Sequence, residues 1–135
     1  MDRPYTPAFT LLELLITLAI VAILATITVP SFSGLVAKSR RSDAMAALAQ
    51  VQLAEERWRV GNPRYTKDLE ALGWSSPESP DGYYHLRVEH ADAVAFLVLA
   101  RPAGVQQSDR CGVFAMGADG PDHRGGYAGP GCWRR

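Results

Sequence analysis

Residues 9–29 form a run of 21 positions that, wound as a helix rising about 1.5 Å per residue, spans roughly 30 Å, the thickness of a bilayer's hydrocarbon core. Positions 14–29 hold no charged residue but ten large aliphatic side chains, each favouring insertion by on the order of 0.3–0.6 kcal/mol. Glu13 opposes this by less than the roughly 2.5–3.5 kcal/mol of a central position, because it lies near the end of the run. A chain that carries such a segment cannot bury all of itself in one water-soluble globule, so a transmembrane helix is expected.

Past Ser31 the pattern turns amphipathic. Ala44, Met45, Ala47, Leu48, Val51, Ala54 and Trp58 recur at steps of three and four, and Arg40, Arg41, Asp43, Gln50, Glu55 and Arg57 are available for the other faces. One helix is therefore expected to continue to about Val60, where Gly61-Asn62-Pro63 stops it. It would be roughly 75 Å long, more than a domain of this size can cover, so its first half must be buried in lipid or in other copies of the chain. Pro30 and Gly34 fall at the junction, and Pro30 removes a backbone donor, which marks it as a candidate hinge or meltable point.

The remaining residues suffice for one compact domain. Thr66 is placed to cap a short helix through Leu72, and 74–82 reads as a loop. Tyr84, Leu86 and Val88 alternate with polar residues, while 93–100 and 111–116 are further β-prone runs. The fold class is α+β: a long N-terminal helix whose second half packs on an antiparallel sheet of three or four strands. The Gly- and Asp-rich stretch 117–131 is a surface loop with at most one more short strand. With a formal net charge of zero, no global basic field draws the chain to nucleic acid. Cys111 and Cys132 are the only cysteines, and an oxidising compartment would let them pair.

The most informative residues precede the apolar run. An acidic side chain at the start of a membrane helix is costly and usually functional. A secretory signal would carry its charges before the apolar core and end at a small-x-small site, whereas here the only basic residue in front is Arg3 and the run ends at Pro30. Ala8 followed by Phe9-Thr10-Leu11-Leu12-Glu13-Leu14 resembles the type IV prepilin family, whose hallmark is a small residue, Phe-Thr-Leu-Ile-Glu-Leu and an unbroken apolar helix. Ala8 stands where that family usually has Gly, and the leader lacks its lysines.

The resemblance implies that prepilin peptidase cuts between Ala8 and Phe9 and methylates the new amino terminus of Phe9, and that Glu13 serves assembly. It divides the chain into a leader (1–8), a transmembrane and filament-core helix (9–32) and a soluble headgroup (33–135). Glu56-Arg57-Trp58, Tyr65-Thr66, Leu72-Gly73, Tyr83-Tyr84, Asp109-Arg110-Cys111-Gly112 and Cys132-Trp133 are similar to small PilE-like minor pilins. A major pilin or a type II secretion pseudopilin would share the first 60 residues, and the late cysteine pair favours a pilus subunit.

For the cysteines the choice is between two buried thiols and a bridge. A bridge would close a loop of roughly 22 residues and contribute about 3–3.5 kcal/mol. The implied partners are the peptidase, other pilin subunits, the assembly platform and the inner membrane, which is left for an extracellular filament used in twitching motility, adhesion or DNA uptake. A nucleic-acid or surface receptor would need Arg101, Arg110, Arg124, Arg134 and Arg135 to converge on one stripe. Asp119, Asp122 and His123 read as turn residues rather than metal ligands, no cofactor is implied, and no nucleophile and base, phosphate loop or carboxylate pair suggests catalysis.

Overall fold

The computed structural model describes residues 9–134, and at 29–31 only the course of the backbone. Its two compact units meet between Val36 and Ala37. Helix α1, Leu11–Gly61, belongs to both. Thr10 caps it by accepting the Glu13 amide proton on its hydroxyl oxygen at 3.2 Å, the first half of a Thr-x-x-Glu capping box. Glu13 in the first turn and Arg59 in the last both suit the helix dipole.

In the first unit the large apolar residues from Leu11 to Ile27 are 51–79% exposed, so the helix is apolar around its circumference and has no core of its own. The hydroxyls of Thr17, Thr26 and Thr28 donate to the carbonyls of Leu14, Ile23 and Leu24 at 2.7–2.9 Å, so these polar groups are satisfied within the helix. The helical backbone runs through position 30 without a break. The side chain of Pro30 lies outside the described residues, as does Ala8.

The second unit, Ala37–Arg135, holds an antiparallel sheet in the order β1 (Tyr84–Ala91), β2 (Phe96–Pro102), β3 (Phe114–Gly117) and β4 (Gly120–Pro121). Alternation puts Tyr84, Leu86 and Val88 of β1 on the same face as Phe96, Val98 and Ala100 of β2 and Phe114 and Met116 of β3. That face packs on Ala44, Ala47, Leu48 and Val51 of α1. Tyr84 and Trp133 both meet Phe114 edge to face, with centroids 5.8 and 5.3 Å away.

Three local expectations need correction. Residues 66–72 form turns, not a helix: the Thr66 hydroxyl and the Asp68 carboxylate accept the amide protons of Asp68 and Glu70, so local side-chain bonds replace helical ones. Strand β2 begins at Phe96 rather than 93, because Asp92 Oδ1 takes the amide protons of Val94 and Ala95 at 2.8 Å each and folds them into the hairpin turn. Strand β3 begins at Phe114 rather than Cys111, because Gly112 sits at φ +59° in a turn closed on the Asp109 carbonyl.

Candidate functional site

Sequence reasoning put Arg41, Asp43 and Glu55 on faces of α1 away from the core, and the structure buries all three. Positions 41, 44, 48, 51 and 55 share one helical stripe, so Arg41 and Glu55 bracket the apolar residues that pack on the sheet. Burying charge is tolerated only when partners replace water, and each group has found some.

Arg41 donates from Nε and Nη2 to the two carboxylate oxygens of Asp109 at 2.8 and 2.7 Å, with the side chains 8% and 3% exposed. This bond holds the Arg41 guanidinium above its ordinary pKa. Gln106, in the 3-10 turn Gly104–Ser108, shares the two protons of Nε2 among the Ala37 carbonyl, the Tyr84 hydroxyl and Asp109 at 3.0–3.2 Å, while its Oε1 has no partner. Burial pushes the Tyr84 phenol up to about 12, so it stays neutral here. Asp43 accepts the Ser79 hydroxyl and the amide protons of Asp81 and Tyr83, fastening the loop ahead of β1.

Glu55, like Gln106, is left with one buried oxygen that has no partner. Its Oε2 accepts the Thr66 amide proton at 3.1 Å, while Oε1 is buried without a partner. Burial pushes its carboxyl above the ordinary 4.5, the Thr66 bond opposes this, and the Glu56 carboxylate adds to it. A raised folded-state pKa gives stability that is full below the unfolded value and is lost as pH rises through the folded one. The second unit should therefore lose stability from about pH 4.5 upward, and Glu55→Gln should remove that loss. Urea midpoints of both proteins at pH 4.5 and 7.5 check this, and equal pH slopes would exclude Glu55 as the source.

At the other end of the unit Cys111 and Cys132 form a disulfide, S–S 2.04 Å. It closes the loop that carries Asp122, which accepts two hydrogen bonds from the Arg124 guanidinium, and His123, whose Nδ1 bonds the Ala128 carbonyl. The three residues weighed as metal ligands include these two.

The sheet's second face carries His85 directly opposite Arg101 and Arg87 directly opposite Leu99. His85, Arg87 and Arg101 are exposed, whereas Leu99 and its neighbour Ala115 are buried. Adjacent register positions on one face bring the two arginines within about 7–8 Å at Cβ. The pair Arg87–Glu89, at 3.5 Å and exposed, neutralises little of that charge. Among the arginines proposed as a stripe, Arg101 joins this cluster and Arg124 is paired with Asp122.

The profile of a family described as type IV minor pilin ComP, DNA uptake sequence receptor, matches residues 30–115. The chain belongs to this type IV minor pilin family. The prokaryotic N-terminal methylation motif matches residues 7–29, so the two matches adjoin. A type IV major pilin protein, PilA of Myxococcus xanthus (strain DK1622), is 34% identical over 81 residues, 60% of this chain. The chain spans 36% of that relative's length. The solved structure of a type IV pilin from Shewanella oneidensis overlays with a TM-score of 0.53 at 26% identity, covering 73% of this pilin and 99% of the other. The long helix with a small antiparallel sheet is thus the pilin fold, and family and fold are those of structural proteins.

Phe9 is 77% exposed just ahead of α1, and Glu13 is in its first turn. Sequence reading missed the polar belt of Arg41, Asp43, Glu55, Gln106 and Asp109, although the helical period of 41 and 55 could have revealed its α1 members.

Proposed function

We propose that this minor pilin is cut before Phe9, methylated there, held in the inner membrane by residues 9–32 and then transferred into a type IV pilus through the same helix. The observation that carries this reading is an apolar helix exposed around its circumference and joined to a folded polar unit. Lipid tails and neighbouring helices are interchangeable surroundings for such a rod, and Ala19, Ala22 and Ala25 allow close approach. Pro30 serves as its hinge.

Glu13 gives the assembly its register. Cleavage creates a cation four residues before this carboxylate, in a region otherwise without charge. At an effective dielectric of about 20, two charges roughly 4 Å apart attract by about 4 kcal/mol before desolvation is subtracted. Glu13→Ala should therefore insert and be cut, but should be depleted at least about tenfold from sheared filaments, corresponding to about 1.4 kcal/mol of that attraction. Intact mass of the membrane-extracted chain should show loss of residues 1–8 and one added methyl group. Cleaved Glu13→Ala protein at normal abundance in filaments would remove the pairing role, and a retained leader would leave only a membrane anchor.

A second reading, DNA contact during uptake, is favoured by the family's description and by the exposed His85, Arg87 and Arg101 cluster. If both arginines meet phosphates, replacing them with Ala should flatten the dependence of log affinity on log salt by about 2. A binding curve indifferent to salt would count against any DNA role.

A further inference from the structure

Tertiary support for α1 starts abruptly. Phe32 and Leu35 are each 64% exposed, and a Cβ added at Gly34 would meet nothing within 4 Å. Apolar packing does not take hold until Ala44, the first fully buried apolar residue of the helix. Between these points the helix is held by the Arg40 guanidinium over the Tyr83 ring, 4.8 Å from its centroid, and by polar bonds. Gln106 Nε2 donates to the Ala37 carbonyl at 3.0 Å. In an α-helix that carbonyl also accepts the Arg41 amide proton, so Gln106 uses its second lone pair. One turn later the Arg41 side chain is locked on Asp109 by two bonds of 2.8 and 2.7 Å.

We propose that Gln106 and the Arg41–Asp109 pair form a helix stop, so that unwinding begun in residues 30–36 runs to the Ala37 carbonyl and goes no further. Up to that carbonyl unwinding passes through a segment that holds no charged residue and in which Phe32, Gly34 and Leu35 are exposed. The next step must release Gln106, free the guanidinium and leave the Asp109 carboxylate, 3% exposed, buried without its counter-ion. A gradual process thereby meets a steep barrier at a defined residue. In a filament under tension, which rests on the function proposed above, the anchor helix could lengthen while the soluble unit keeps its shape.

Residue-resolved hydrogen exchange on the full chain in detergent micelles tests this without reference to filaments. The amides of residues 38–40, bonded to carbonyls 34–36, should exchange at least about 100-fold faster than the Arg41 amide. Gln106→Leu should cut the protection of Arg41 about tenfold. The double change Arg41→Met with Asp109→Leu, which removes both charges and leaves neither unpaired, should move the boundary to residues 44–48 while Val98 in the sheet stays protected. A protection step that is absent at Arg41 in the unaltered chain, or unmoved in both variants, would overturn the proposal. Protection lost equally at Val98 would also overturn it, since that pattern is general destabilisation.

Discussion

Arg41→Ala should cost the second unit, Ala37–Arg135, about 3–5 kcal/mol, because it strands the Asp109 carboxylate in a buried site. The loss comes mostly from the abandoned partner, not from the net worth of the pair. The double variant Arg41→Met with Asp109→Leu should therefore regain most of it, since two apolar side chains of similar volume need no counter-ion. Urea denaturation of the three proteins provides the comparison. An Arg41→Ala midpoint within about 1 kcal/mol of the parent would mean that water reaches Asp109 and that the pair is not buried in solution.

The second large effect belongs to the disulfide. Replacing Cys111 and Cys132 with Ser should lower stability by about 3 kcal/mol, the loop-closure entropy of a loop this long. Within the loop, β3 pairs with β2, Gln52 Nε2 donates to the Gly117 and Ala118 carbonyls, and the Ala128 amide donates to the Val113 carbonyl. The buried apolar groups after β3 are few: Ala128, the partly buried Ala118 and, just past the bridge, Trp133, which donates its indole N–H to the Ala128 carbonyl. Trp133 adjoins Cys132 and packs on Phe114, so opening the bridge also loosens one wall of the core. A thermal midpoint unchanged by both reduction and the double substitution would show that the 3-10 turn Pro130–Trp133 is held by packing alone.

Helix α1 was legible because one long period dominates it: an all-round apolar helix passing into an amphipathic one is read directly from spacing. The strand set was legible for the same reason, since Tyr84, Leu86 and Val88 alternate cleanly. Edges were not. Asp92, Thr66 and Asp68 redirect nearby amide protons through their side chains, and a hydrophobicity pattern does not register such local bonds. The belt on α1 was missed because charge was read as exposure, although Arg41 and Glu55 stand on the apolar stripe. Their partners, Asp109 and Thr66, lie 68 and 11 residues further along the chain, and hydrophobic spacing joins neither pair. The basic cluster depended on strand register, which the sequence left open.

The three threonines that bond back to their own helix bear on the proposed transfer of the subunit from membrane to filament. Because these hydroxyls carry their partners with them, withdrawing the rod from lipid breaks none of those bonds. The work of extraction at these positions is then a matter of contact area exchanged between lipid tails and neighbouring side chains. It should accumulate smoothly along the stroke, without a catch point at residues 17, 26 or 28.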